Sequence, residues 1–552
     1  MQQLAEIVRV ALHIRVLDIS IRRRMVRRGI PLLLVLALAG CSGHDQSNGE
    51  SNGNKSNETR ILRRGLPGEP QTLDPQLADD TFSFPVLRDL YEGLTDEGPK
   101  GEVEPGVAES WKVDDTGTVY DFKLRSGAKW SNGDPITATE FVQALRRAVD
   151  PKAASGSSAL LAAIKGSSDI TAGRKPPEAL AVEASGNDSL RIELEHPAPF
   201  ILQVLSQPIA APLHPGSAPK KAITNGPYTL VTRIPGSFIE LAKNPNYWDA
   251  AKVRIGRVRY MNAESEATEI REYEAGQIDM TSTIPAPDLE RITKHYGSEV
   301  QTAPILGTLY LGLDVSEPPL KDNRDLRQAL SMAVDRELIA EHVVVGVNPA
   351  YSFVSKGVSG YQAPSYDWST WPRNQRISFA RTLYARSGYS DKRPLHLTLY
   401  FNSGESIQRI MIAVAANWKA NLGVTTDLVS DEFRVFLSGR RDRSKWDAIR
   451  LGWYADYDDP ASFLEVFSKN NIQNDPGYAS QKFNDLIDAA RIEPNPHNRI
   501  ELLRSAEATL LSDYPIIPVY FYIARRLVKP DLGGAEISPM NHTYSKHLYW
   551  KH

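Results

Sequence analysis

The run Asp447-Ala448-Ile449-Arg450-Leu451-Gly452-Trp453-Tyr454-Ala455-Asp456-Tyr457-Asp458-Asp459-Pro460 is where this sequence concentrates residues able to do chemistry. A short apolar strand leads into a loop of aromatics and acids. Asp459-Pro460 ahead of Ala461-Ser462-Phe463-Leu464 is most simply a helix start. Asp459 is then the N-cap, and proline sits at the first helical position, where a missing N–H is harmless. Asp456 has a different setting. It follows Gly452-Trp453, where a small residue admits close backbone approach and an aromatic supplies a wall. A carboxylate there suits a cationic ligand group; it would equally serve as a local turn-former.

The rest of the chain carries no recognisable catalytic signature. There is no Gly-x-Ser-x-Gly elbow, His-Glu-x-x-His helix, P-loop or Gly-x-Gly-x-x-Gly fingerprint. His342, His396 and His497 stand apart from other metal-ligand types and are expected to be ordinary surface or core histidines. No enzyme activity, cofactor or metal is therefore expected. Ser, His and Asp residues far apart in sequence can still meet in space, so a secreted hydrolase stays an alternative. The formal charge of −3, with no basic stripe, argues against nucleic acid as a partner.

The elements that must position these residues follow an α/β rhythm. Trp111 and Val113, then Tyr120, Phe122 and Leu124, alternate on either side of Asp114-Asp115-Thr116-Gly117, which predicts a hairpin. Asn132-Gly133 marks a turn. Thr137-Ala138-Thr139-Glu140 is a capping box opening a helix with Phe141, Val142, Leu145, Ala148 and Val149 on one stripe, ended by Asp150-Pro151. Leu326, Ala329, Leu330, Ala333, Val334 and Leu338 follow the helical period. Leu395, Leu397, Leu399 and Phe401 follow the strand period. A helix over Ile407–Leu422, stopped by Gly423, then leads to a strand at Val424–Val429. Such a succession builds an open sheet covered by helices, with ligands at strand ends and domain interfaces.

Cys41 is the only cysteine in 552 residues. It closes a run from Arg27 through a short apolar stretch to Leu38-Ala39-Gly40-Cys41, the pattern of a bacterial lipoprotein signal peptide. The apolar stretch is well below the ~18–20 residues needed to span a bilayer as a helix. Met25 is the expected start, and the mature chain is expected to begin at Cys41, lipidated and anchored to a membrane. Ser42 after the cysteine points toward the outer membrane of a Gram-negative cell. Residues 42–59 lack large apolar side chains and are expected to form a tether. Roughly 490 residues then remain, enough for about three domains.

At this point a resemblance emerges. Gly452–Pro460 matches the hallmark Gly-Trp-x-Ala-Asp-Tyr-x-x-Pro of the oligopeptide-binding proteins of bacterial ABC importers, extracytoplasmic solute-binding family 5. Matching runs also occur at Glu69–Pro75, Arg88–Leu94, Pro105–Trp111, Thr224–Leu230, Asn244–Trp248 and Pro515–Tyr520. The likeness extends from Ile61 to His552. It implies an α/β fold of the two-lobed periplasmic-binding-protein type II, a clamp with an additional domain. Residues 60–91, 212–269 and 519–552 would form lobe I, 92–211 the extra domain and 270–518 lobe II.

The resemblance also assigns roles. Asp456 would pair with the free amino terminus of a peptide, the backbones of Gly452 and Tyr454 would hydrogen-bond the ligand as an added strand, and Trp453 and Tyr454 would line side-chain pockets. Asp79 and Thr81 would contribute from the first lobe, and otherwise belong to a polar surface loop. Departures accompany the match: Ser157 stands where a tyrosine is expected and Phe433 where a tryptophan is expected. Glu317 and Ile407 replace a lysine and a histidine that meet peptide carboxylates. Arg450 remains for that task, with Arg440 or Arg441, although the run Gly439–Lys445 would equally be a solvated charge run. Ligand length is left open. The implied partners are short peptides, the permease subunits of an ABC transporter (its ATPase subunits only indirectly) and the membrane through Cys41, with the chain a monomer. The same fold could instead take a modified cell-wall peptide, a nickel chelate, haem, an opine or a glycan, and a structural envelope lipoprotein is a further alternative.

Overall fold

The computed structural model describes residues 60–218, 222–469 and 471–551; Cys41 and the expected signal and tether segments lie outside them. Three sheets of four or more strands organise these residues, beside two smaller two-stranded ones. In the first, Ile61–Leu66 runs parallel to Arg257–Asn262, which pairs antiparallel with Phe238–Lys243 and that in turn with Tyr228–Ile234. Leu62, Tyr228, Leu241, Val258 and Tyr260 form its core, closed by Leu548 and Trp550 from the far end of the chain.

The second sheet holds Ala108–Val113, Val119–Leu124, Ser189–Glu193 and Val182–Ala184, all antiparallel. The predicted hairpin is its first pair. Helix Ala138–Val149 packs its Phe141, Leu145 and Val149 stripe into this core, and Glu140 accepts the Thr137 amide at 2.8 Å, as the capping box requires.

The third sheet is the largest. Its order is Asn348–Pro349, Ile516–Leu527, Val300–Leu313, Ala448–Tyr454, His396–Asn402 and Thr425–Asp431, antiparallel at the first three junctions and parallel at the last two. Helix Glu405–Leu422 covers it and ends at Gly423, whose φ of +77° is the left-handed cap that glycine adopts without strain. The periodic stretch Leu326–Leu338 is not one helix. Helix Arg324–Ala333 stops, and Asp335 starts a new turn by accepting the Leu338 amide at 3.1 Å. An aspartate competes with the helical backbone for its own amides, so the apolar period continues while the helix does not.

Two long strands tie the sheets together. Val300–Leu313 and Ile516–Leu527 pair from Val300↔Leu527 to Gly312↔Ile516. Val528 then bridges Met280, which bridges Arg64 of the first sheet. Ile516–Leu527 is continuous across residue 518. The ladder loses register between Pro304 and Thr308 and between Leu309 and Tyr310. Proline has no N–H to give a ladder, so an interruption beside Pro304 is where one is expected. None of the described helices is long and apolar enough to cross a membrane.

Candidate ligand-binding site

Strand Ala448–Tyr454 has two unlike edges. One is paired along its whole length with Val300–Leu313, from Leu313↔Ala448 to Gly307↔Tyr454. The other meets His396–Asn402 only at Leu399↔Ala448 and Tyr400↔Ile449. Beyond Ile449 that edge has no strand partner among the described residues. Ala455 donates its N–H to Leu306 at 2.8 Å, and alternation along an antiparallel strand then directs the backbone groups of Tyr454, Gly452 and Arg450 to the open side. An extended chain laid there would find donors and acceptors ready.

The loop after this strand spends two of its three acids on structure. Asp458 accepts the Ser359 amide at 2.8 Å and its hydroxyl at 2.5 Å. Asp459 takes a bidentate bond from the buried Arg499 at 2.7 and 2.9 Å and also accepts the Ala461 amide at 2.8 Å, which opens the short helix Ala461–Leu464. Asp456 is held only by its backbone: its amide donates to Ser462 Oγ at 2.8 Å and its carbonyl accepts Gln207 Nε2 at 2.5 Å. Phe200 stacks on Tyr457 with centroids 4.0 Å apart, and Gln203 accepts the Asp458 amide, so the second-sheet region braces the loop.

The Asp456 carboxylate has no hydrogen bond or ion pair among the described residues. Its side chain is open to water locally, yet burial pushes its carboxyl up to about 6. The carboxylate borders a narrow cleft lined also by Gln203, Gln207, Tyr457, Met540 and His542. Tyr454 shows the same combination, 57% exposed but with burial holding its hydroxyl well above the ordinary tyrosine range.

Arg450 faces the same region. Its guanidinium donates to Asn402 Oδ1 and to the Tyr522 hydroxyl, both at 3.2 Å, its Nε has no partner, and no carboxylate pairs with it among the described residues. Tyr522 is a residue the sequence reading missed. It stacks on Tyr454 at 4.4 Å, and a Cβ at Gly452 would lie 2.3 Å from its hydroxyl. Gly452 is therefore glycine because a tyrosine lies over it, as well as for any ligand. The available signal was the Tyr520-x-Tyr522 alternation, which puts both rings on one face of a strand.

The remaining expected residues are dispersed. Trp453 is half-buried with its indole N–H unpartnered, and Phe433 is 51% exposed at the start of helix Phe433–Gly439. Arg440 lies 3.7 Å from the buried Asp475, so its charge is already engaged, whereas Arg441 is exposed. Asp79 and Thr81 are exposed in the loop ahead of helix Ser83–Leu90, where Asp80 supplies the capping oxygens to the Phe82 and Ser83 amides. Asp79 lies against Gly156, and neighbouring Ser157 donates to the Ala78 carbonyl at 3.1 Å. Neither Asp79 nor Thr81 is hydrogen-bonded to the Gly452–Asp456 segment. Among the described residues no cluster of His, Cys, Asp and Glu could hold a metal.

What this arrangement offers is recognition: a free strand edge with a lone carboxylate beyond one end and a lone guanidinium at the other, set among mixed sheets and helices. That is the chemistry of an extracellular solute-binding protein with the α/β two-lobed clamp and an additional domain. The chain belongs to the bacterial extracellular solute-binding proteins, family 5, whose model matches residues 102–475. It is 34% identical over 506 residues to the periplasmic oligopeptide-binding protein OppA of Escherichia coli (strain K12), covering 89% of this chain and 93% of that one. It is 33% identical over 504 residues to the periplasmic murein peptide-binding protein MppA of the same organism, covering 89% and 93%. Among solved structures, OppA of Burkholderia pseudomallei superposes with a TM-score of 0.77 at 35% identity, covering 89% of this chain and 99% of that one.

Proposed function

We propose that this protein captures short peptides with a free amino terminus in the cell envelope and delivers them to an ABC importer. The observation that carries this reading is the Asp456 carboxylate, unpaired and desolvated beyond the end of an open strand edge. The peptide backbone adds to that edge at Arg450, Gly452 and Tyr454, its ammonium meets Asp456, and its carboxylate is drawn toward Arg450. Backbone pairing is indifferent to side chains, which gives breadth, while the terminal charges give orientation. Trp453, Tyr454 and Phe433 supply apolar contact, with Asp79 and Thr81 contributing from the opposite wall.

The test is calorimetric titration with tripeptides and their N-acetylated forms. Acetylation removes the charge that Asp456 pairs, so binding should weaken by ~2–5 kcal/mol. Equal affinity for both forms would refute the reading, as would an Asp456→Asn variant that binds the free peptide undiminished. Peptides released from the denatured native protein, identified by mass spectrometry, would support it; recovery of only metals or sugars would not. The anchoring role assigned to Cys41 is part of the same reading and is checked by loss of membrane fractionation in Cys41→Ala.

A further inference from the structure

The Asp456 carboxylate makes no polar contact of its own among the described residues, so its place is set by what holds its backbone. One hold is local: the Asp456 amide donates to Ser462 Oγ at 2.8 Å, six residues on. The other comes from Gln207, 249 residues away, whose side-chain amide donates to the Asp456 carbonyl at 2.5 Å. Gln203 reaches the same loop, and its Oε1 accepts the Asp458 amide at 2.5 Å. Between these two bonds Tyr457 lies flat on Phe200, with centroids 4.0 Å apart and planes 7° from parallel. Three consecutive loop residues are therefore gripped by Phe200, Gln203 and Gln207.

The grip has a simple origin in sequence. Phe200, Gln203 and Gln207 stand three and four positions apart on the short helix Ile201–Val204 and the turn after it, so they share one face. That face follows strand Ser189–Glu193 of the second sheet, whereas Asp456 follows a strand of the largest sheet. Phe200 and Tyr457 alone would pack the two regions together. The glutamines add what a ring stack cannot, a fixed register, because each bonds one particular backbone group of the loop. Gln203, Gln207, Asp456 and Tyr457 all border the same narrow cleft.

We infer that Gln203 and Gln207 are positioning residues for peptide capture: by fixing the backbone at Asp456 and Asp458, they hold the Asp456 carboxylate where it meets the ligand ammonium. This rests on the peptide-binding reading, and it makes the second-sheet region part of amino-terminus recognition. It has a titration consequence. The burial that pushes the Asp456 carboxyl up to about 6 comes with the same placement. A loop released by the glutamines lets that side chain into water, and the carboxyl returns toward its ordinary value.

The experiment titrates the full chain, and a Gln203→Leu/Gln207→Leu variant that keeps side-chain size without hydrogen bonding, with trialanine and N-acetyltrialanine. Loss of the two bonds should weaken binding of the free peptide about tenfold and leave the acetylated form unchanged. The fall of free-peptide affinity with acid, which begins near pH 6 in wild type, should move to lower pH in the variant. In an Asp456→Asn background the glutamine substitutions should have no further effect. Gln207→Leu alone should give the same pattern at smaller size, and carries the test if the double variant does not fold. Equal weakening of both peptides, no weakening of either, or an unmoved pH profile overturns the inference while leaving peptide capture intact. Failure of the wild type to tell free from acetylated peptide overturns the peptide reading itself, and the inference with it.

Discussion

At residue scale, Asp456 works against the stability of the unliganded protein. Its carboxyl titrates at about 6 in the folded chain, against ~3.9 for an unperturbed aspartate. The folded state therefore holds this proton more tightly than the unfolded state. Its contribution to stability is fully present below about pH 4 and is lost as pH rises through about 6. Asp456→Asn is accordingly expected to raise the ligand-free melting temperature at pH 7 while weakening peptide binding. Opposite signs in the two measurements separate a binding group from a structural one, since removal of a structural acid lowers both. The same titration makes capture pH-dependent. An ammonium binds only the ionised carboxylate, so affinity should fall by up to tenfold per unit below pH 6. The Asp456→Asn variant should lose that slope, as followed by calorimetry across pH 4.5–8.

At element scale, the strand–loop–helix unit Ala448–Leu464 is held by partners distant in sequence. The buried Arg499–Asp459 pair and the Asp458–Ser359 bonds fix the loop, and Ser462 fixes the Asp456 amide. Arg499→Ala leaves Asp459 as a buried unpaired charge and is expected to cost ~3–5 kcal/mol in urea unfolding. Ser359→Ala should cost only about 1 kcal/mol. The predicted hairpin, the capping-box helix and the helix ending at Gly423 all formed as their sequences indicate, because each depends on residues a few positions apart. Asp459 was legible as a helix start for that reason. Its bond to Arg499 was not, and neither was Tyr522 over Gly452, because those partners are dozens of residues away in the chain.

At the scale of the whole molecule, the first sheet connects to the largest through the bridges Arg64–Met280–Val528 at the end of the long pair Val300–Leu313 and Ile516–Leu527, which has register breaks between Pro304 and Tyr310. A ligand that binds only the folded chain adds RT ln(1 + [L]/Kd), about 2.7 kcal/mol at a hundredfold excess over Kd. Chemical denaturation with and without a saturating tripeptide should show that gain, and Asp456→Asn should lose most of it at the same peptide concentration. By itself the sequence determined the strand and helix periods, the turns and the segment in which recognition chemistry is concentrated, since dihedral preference and amphipathic spacing are local. Only the tertiary structure decided which of Asp456, Asp458 and Asp459 keeps its charge free. Charge pairing and desolvation depend on which distant groups the fold brings within a few ångströms, and no local pattern encodes that.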